Sequence, residues 1–394
     1  MISLEDLTNV YYKARLNKRR SLDSCCFEID FESELLKLLN DINNRTFVAE
    51  NNYAFVVFRP KPREIFATEM RNRIIHHYLD WRMRDIYEKV LSDRSFNNRK
   101  GKGLHKAIET FKNDIYELTE NFTKDAWICH LDLKGYFPNA NVEIALSQQF
   151  ELIEKYYNGS DKDDLKYMMN ICMRSDPARH CKIKVSIDNW KVIKKDKSLF
   201  NKPVGIGGAI GFLCWQNAMG LYINDVVKWI QSNSFVRIVV FVDDIYMISR
   251  NKEKLLEIIP EIRKRLSEIG VSLNEKKFYF QHYSKGVMVL GTMLKYKRSY
   301  CNNKTLSNAL NSIRNINRKK LSKNPISTLC SINSYSGIMK IRNERGKLFI
   351  FMIKIMCKIY GMVRWNNKRR CFNLMEKYNV KNTYKRRYMR RKRI

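Results

Sequence analysis

The sequence predicts an α+β fold in which a short hairpin presents paired carboxylates beside buried surface. Three observations predict it. Apolar residues recur at helical spacing over long stretches, as at Ile74, Ile75, Tyr78, Leu79 and Met83. Short apolar runs meet acids: Trp127 to Leu133 carries Asp132, and Ile238-Val-Val-Phe-Val242 runs into Asp243-Asp244 before Ile245-Tyr-Met-Ile248. Proline and glycine punctuate the remainder at Pro60-Lys-Pro62 and Val204 to Gly211.

In chain order, the first fifty residues read as helix-rich, with Leu35, Leu36, Leu38 and Leu39 behind an acidic start. A strand, Tyr53 to Arg59, stops at the prolines, and a helix runs from Thr68 to Val90. Ser95 to Gly103 is a basic loop, followed by a helix from Leu104 to Leu118. Residues 143–173 read as helical. Lys182 to Pro203 alternates in a way that predicts a β-hairpin. The Gly-rich turn then opens a helix through Ile230. Beyond the paired acids come a charged helix, Lys252 to Ile269, and short strands near Lys277 to Phe280 and Val287 to Leu294. From about Thr305 the chain is helical and basic, ending in KRRYMRRKRI. No repeat or low-complexity linker interrupts it, so the parts are expected to pack as one body.

Composition narrows the function. The 394 residues carry 74 Lys and Arg against 40 Asp and Glu, a net charge of +34. That excess far exceeds what solubility needs, and it points to a polyanionic partner, nucleic acid. With 44% hydrophobic residues, the chain is too apolar for disorder. The ten cysteines include the adjacent Cys25 and Cys26 but no CxxC spacing; Cys172 with His180-Cys181 matches no zinc template, so buried free thiols are expected. The longest apolar run, Leu348 to Val363, carries Lys354 and Lys358 and reads as an amphipathic helix. With no hydrophobic signal among the first twenty residues, a cytoplasmic protein without membrane attachment is expected.

Asp243 and Asp244 carry the chemistry. Two adjacent carboxylates beside buried strands repel one another and lose hydration unless a cation sits between them, and a hard ion such as Mg²⁺ suits them. A solvated Asp-Asp turn is the plain alternative. Asp132 at the end of another apolar strand favours the metal, because three acids are what a two-metal phosphoryl-transfer site needs. His76, His77 and His105 are expected to be satisfied helix histidines. Gly205-Ile-Gly-Gly208 lacks the βαβ context of a dinucleotide site.

The order of these blocks resembles that of the reverse transcriptases, over roughly residues 20–295. Lys61-Pro-Arg-Glu-Ile-Phe-Ala67 with Arg71-Asn-Arg73 resembles the fingers motifs, and Ser95 to His105 the basic loop of bacterial members. His130-Leu-Asp-Leu-Lys-Gly-Tyr-Phe137 and Phe241-Val-Asp-Asp244 match the two acid-bearing palm motifs. Gly270 to Lys277 and Val289-Leu-Gly-Thr292 match the motifs that close the palm.

The resemblance implies a right-hand polymerase fold, with fingers over 1–125, palm over 126–295 and a helical basic thumb and tail over 296–394. It implies Asp132, Asp243 and Asp244 as ligands of two Mg²⁺ ions, with Mn²⁺ as a substitute. Lys61 and Arg63 would grip the dNTP triphosphate. Phe137 would act as a steric gate against a ribose 2′-hydroxyl, unless it is ordinary core. Lys277, or its neighbour Lys276, resembles the lysine that protonates pyrophosphate; a plain surface lysine is the alternative. Arg73 is either structural or template-facing. Arg99, Lys100 and Lys102 of the loop, and Arg386, Arg387, Arg390 and Arg391 of the tail, would hold nucleic acid.

Ile210, Gly211 and Gln216 stand where most members have Gln-Gly and then Ser-Pro. They resemble the enzymes of diversity-generating retroelements, whereas Cys214-Trp215 and Phe241 depart from them, and phage-defence reverse transcriptases share the palm. Trp215 either shapes the pocket or fills core. The implied activity is RNA-directed DNA synthesis of bacterial type, making cDNA from dNTPs on a structured noncoding RNA, with a second protein encoded nearby, in anti-phage defence. The alternatives are a mutagenic retroelement enzyme, template-independent synthesis and an inactive RNA-binding scaffold.

Overall fold

The acid-bearing strands form because their apolar side chains are buried on both faces. β3 (Trp127–Asp132), β5 (Arg237–Phe241) and β6 (Asp244–Ser249) bury Ile128, Cys129, Leu131, Ile238, Val239, Val240, Ile245 and Met247. β6 pairs antiparallel with both neighbours, and β7 (Tyr279–His282) completes a four-stranded sheet of order β5-β6-β3-β7. The computed structural model describes residues 2–16, 18–19, 21–49, 52–58, 61–296, 298–314, 316, 325–341, 345–368 and 371–375.

The chain divides into two compact units: Met1–Asp114 with Ala126–Phe280, and Ile115–Asp125 with Gln281–Ile394. In the first unit, α1 (Leu4–Ala14) starts on Ser3, whose side chain accepts from the Asp6 amide, and buries Leu7, Val10, Tyr11 and Ala14. Next come α2 (Leu22–Ile29) and α3 (Phe31–Asn43). A second sheet contains β1 (Asn52–Val57), antiparallel to β2 (Arg63–Thr68) and parallel to the short β4 (Cys181–Ile183). The long helix α4 (Met70–Val90) buries Ile74, Ile75, Tyr78, Leu79 and Met83, as their spacing predicts. α5 spans Leu104–Leu118 and α10 Lys252–Glu268.

Three expectations need correction. Residues 143–173 are two helices, α6 (Val142–Tyr156) and α7 (Lys162–Arg174). Between them Asp161 accepts from the hydroxyls of Tyr78 and Tyr157, both at 2.6 Å. The helix after the Gly-rich turn is likewise two, α8 (Leu213–Tyr222) and α9 (Asn224–Ser232). At the break the Asn224 side chain accepts from Ser92 N at 2.9 Å and donates to Val90 O at 3.3 Å.

The third concerns Lys182 to Pro203. Beyond β4 it forms no hairpin but three 3₁₀ turns, Ile187–Val192, Lys195–Lys197 and Leu199–Asn201. A buried carboxylate explains them. Glu64, 5% exposed, accepts from Trp190 Nε1 at 2.7 Å, Ser198 Oγ at 2.6 Å and Leu199 N at 2.8 Å. Three donors gathered on one side chain override the local alternation.

The second unit contains β8 (Val287–Val289), β9 (Thr292–Lys295) and β10 (Arg298–Cys301) in one antiparallel sheet. It continues through α11 (Asn303–Arg314), α12 (Pro325–Ile341), α13 (Arg345–Ile359) and the hairpin of β11 (Val363–Asn366) and β12 (Cys371–Leu374). Ile313, Ile332, Met339, Phe351, Ile355 and Phe372 form its core. No helix among the described residues is long and apolar enough to cross a membrane.

Candidate active site

Strand register sets the acids together. Asp132 lies opposite Asp244 in the β3–β6 ladder, and Asp243 occupies the two-residue turn between β5 and β6. The turn is tight: Val242 has φ 58°, a left-handed conformation that a β-branched residue adopts only under strain. The Leu133 amide donates to the Asp243 carbonyl at 2.8 Å, tying the turn to the end of β3.

Each carboxylate has a different environment. Burial raises the pKa of Asp243, the charges of Asp244 and Asp132 raise it further, and Lys277 opposes them. The buried Asp132 receives the Lys277 ammonium on Oδ1 and Asn274 Nδ2 on Oδ2 at 2.9 Å. Asn274 N also donates to Asp132 O at 2.8 Å, so the turn bearing Lys277 is fixed to the acid; that turn is 3₁₀ rather than strand. Burial pulls the Lys277 pKa down, but its hydrogen bond to Asp132 and the surrounding carboxylates outweigh this and raise it.

Asp244 is held by a residue that sequence reasoning missed. His130 Nε2 donates to Asp244 Oδ1 at 2.8 Å. Its ring stacks on Tyr246, directly opposite in the ladder, at 4.5 Å, and meets Tyr279 at 5.1 Å. The signal was present: a histidine two residues before Asp132 shares its face of the strand.

Among the described residues no three His, Cys, Asp or Glu side chains lie together as a ready metal cage. Lys277 and Asn274 hydrogen-bond the oxygens of Asp132, and His130 bonds one of Asp244. The donor set nevertheless fits a hard divalent ion. All three acids supply carboxylate oxygens, and Asp243 is raised by burial first and then by the charges of Asp244 and Asp132.

The Gly-rich turn is clasped from two sides. Gly208 N donates to Phe137 O at 2.8 Å and Gly207 N to Ala140 O at 2.7 Å. On the other side Phe66 N of β2 donates to Ile210 O at 2.9 Å. Gly211 has φ 120°, and a Cβ there would stand 2.0 Å from Phe66 O, so only glycine fits. Phe137 is thus tied through its carbonyl to the Gly-rich turn that carries Ile210 and Gly211; Phe137 and Ile210 are half-buried, and Gly211, Lys61 and Arg63 are exposed, the last two at the start of β2. Gln216 lies apart, in a recess with Asp80, Asn97, Asn98 and Asn217. Trp215 fills core: it is 1% exposed and packs on Gly208.

The cations of the basic loop differ in their surroundings. Arg99 has a side chain 7% exposed, ion-paired to Glu88 at 2.9 Å. It also donates to the carbonyls of Glu88 and Ser92 where α4 ends. It completes that helix terminus. Lys102 donates to Asp93 O, and burial lowers its pKa; Lys100 is exposed. His76 is not satisfied. It is buried against Phe212 with neither ring nitrogen partnered among the described residues, and burial lowers its pKa to about 3. Arg386, Arg387, Arg390 and Arg391 lie outside the described residues.

Residues 59–294, more than half of the chain, match the family of the reverse transcriptase (RNA-dependent DNA polymerase), and the chain belongs to that family. No curated protein matches it. Among solved structures it is similar to apo telomerase from Candida tropicalis, at 13% identity and TM-score 0.49, over 78% of this chain and 57% of that one. It is also similar to telomerase from Candida albicans in complex with a fragment of telomeric RNA, at 10% identity and TM-score 0.45, over 85% and 62%. The chain therefore spans about three-fifths of the length of these telomerases.

Proposed function

We propose that this protein is an RNA-directed DNA polymerase of bacterial type, making cDNA from dNTPs on a structured noncoding RNA in the cytoplasm. The observation that supports the reading is the convergence of Asp132, Asp243 and Asp244 at one end of the β3–β6 ladder in a chain of this family. Asp132, Asp243 and Asp244 would hold two Mg²⁺ ions, or Mn²⁺ in their place, which when bound supply Lewis-acid stabilisation of the attacking and leaving oxygens.

The chain's own groups do the rest. Arg63 and Lys61 bind the triphosphate, and Phe137 excludes a ribose 2′-hydroxyl beside the turn of Ile210 and Gly211. Lys277, kept protonated by Asp132, holds a proton for the leaving pyrophosphate. Lys100 and the basic tail bind the nucleic-acid backbone. Anti-phage defence, with a second protein encoded nearby, is the biological role we assign. Trp215 supports templated over untemplated synthesis, because a tryptophan filling the core does not stand in for a templating base.

Sequencing the RNA and DNA that co-purify with the wild type and with the Asp243→Ala/Asp244→Ala variant tests this. One discrete RNA in both, with complementary DNA only in the wild type, is expected. DNA unrelated to any bound RNA would establish untemplated extension. Identical nucleic acid in both would leave a binding scaffold. A template repeat beside a variable-protein gene would assign the enzyme to retroelement diversification.

A further inference from the structure

The segment beyond β4 has features that a merely solvated loop does not need. Residues 182–202 carry seven lysines and two aspartates. Three of the lysines are engaged. Lys184 lies over the Tyr53 ring at 3.4 Å, Lys191 pairs with Asp188 at 2.8 Å, and Lys202 donates to Asn139 at 2.7 Å. The other four, Lys182, Lys194, Lys195 and Lys197, are exposed and have no ion pair among the described residues.

Like charges at this density repel, and an unanchored segment would spread them apart. Here the backbone is fixed instead. Glu64 gathers Trp190, Ser198 and Leu199, bracketing Lys191, Lys194, Lys195 and Lys197 with three hydrogen bonds to one buried carboxylate. Phe200, 38% exposed, stands edge-on to Trp190 at 5.7 Å and offers an aromatic ring among the cations. The anchor lies one residue from Arg63 and two from Phe66, which holds the Gly-rich turn. A rigid array of unpaired lysines beside an accessible ring matches the pattern of phosphates and bases in an extended strand.

We propose that residues 182–202 form a binding surface for the phosphodiester backbone of a nucleic-acid strand. Lys182, Lys194, Lys195 and Lys197 face phosphates, and Phe200 takes a base. The surface is separate from the acids and operates whether or not the chain is catalytically competent.

The test uses the full chain and a labelled single-stranded 20-mer, as RNA and as DNA of the same sequence. Affinity is measured by fluorescence anisotropy across a salt series. The four lysines are replaced together by glutamine. A control variant replaces Lys112, Lys252, Lys264 and Lys285, four exposed lysines elsewhere, and so matches the change in net charge. Four lost phosphate contacts should flatten the slope of log K against log salt by about 3, at roughly 0.7 per contact. The control should change it by less than about 1. A flattened slope in both arms, or in the RNA arm alone, supports the proposal. Slopes equal to the control's in both arms overturn it. Absence of salt-dependent binding by the wild type would overturn the nucleic-acid reading itself, a result distinct from failure of this surface.

Discussion

His130 Nε2 donates to Asp244 Oδ1 at 2.8 Å from a ring enclosed by Tyr246 and Tyr279. The other ring nitrogen, Nδ1, has no partner among the described residues, so the contact to Asp244 is the polar function of a buried imidazole. His130→Phe keeps the ring and removes the donor. It should weaken Mn²⁺ binding, followed by electron paramagnetic resonance, about tenfold or more, as loss of a hydrogen bond to a metal-binding carboxylate does. The melting temperature should change little. Unchanged Mn²⁺ affinity would make the histidine a packing residue.

Asp243 opposes folding at neutral pH. Its folded pKa lies above the ordinary aspartate value, so the folded state holds the proton more tightly than the unfolded chain. Its contribution to stability is therefore greatest at low pH and is lost as pH rises from about 4 through the raised value. Asp243→Asn should raise the melting temperature at pH 7 while abolishing DNA synthesis, and the gain should shrink toward pH 4. Thermal scans at the two pH values check it, and equal gains at both would contradict the burial argument.

Two glycine substitutions should separate contact from conformation. Gly211→Ala places a Cβ 2.0 Å from Phe66 O, and backbone has to move. A loss of about 4 kcal/mol or more is expected, with the Ile210–Phe66 hydrogen bond broken. Gly205 has φ 81° with nothing near its Cβ position, so Gly205→Ala should cost only roughly 1 kcal/mol. Denaturant titration of the two variants measures the difference.

Arg99 and Lys100 are neighbours with opposite predicted effects. Arg99→Ala removes an ion pair and the donors at the end of α4, and should destabilise by about 2 kcal/mol while leaving the salt slope of nucleic-acid binding intact. Lys100→Ala should leave stability alone and flatten the slope by about 0.7 to 0.9.

Glu64→Ala leaves an indole, a hydroxyl and an amide without their acceptor. Trypsin should then cleave after Lys194, Lys195 and Lys197 at least about tenfold faster, as expected of a segment whose local opening has become easier. Equal cleavage rates would show that the carboxylate does not hold the segment.

What could be read from the sequence follows from the range of the forces. The strands around Asp132 and Asp243-Asp244 were legible because burial on both faces writes a continuous apolar run bounded by acids. The helix carrying Ile74 to Met83 was legible from its spacing. The false hairpin at Lys182 to Pro203 arose because exposed lysines alternating with Ile183, Val185 and Ile187 imitate a half-buried strand. The carboxylate that decides otherwise lies more than a hundred residues earlier. Arg99 looked available because a basic loop gives no sign of which cation closes a helix end. The helix breaks at Asp161 and Asn224 depend on partners in α4 and just beyond it, which no local window contains.

Glu64 has one more consequence. Its three bonds close the stretch from Ile183 to Ser198 into a loop whose two ends are both fixed to the β1–β2 sheet. Residues within that loop can be gained or lost without displacing Arg63 or the Gly-rich turn, because doubling its length adds only about 0.6 kcal/mol of closure entropy. The chain thus has a place where its outer surface can be rewritten by insertion and deletion while the neighbouring β1–β2 sheet stays in register.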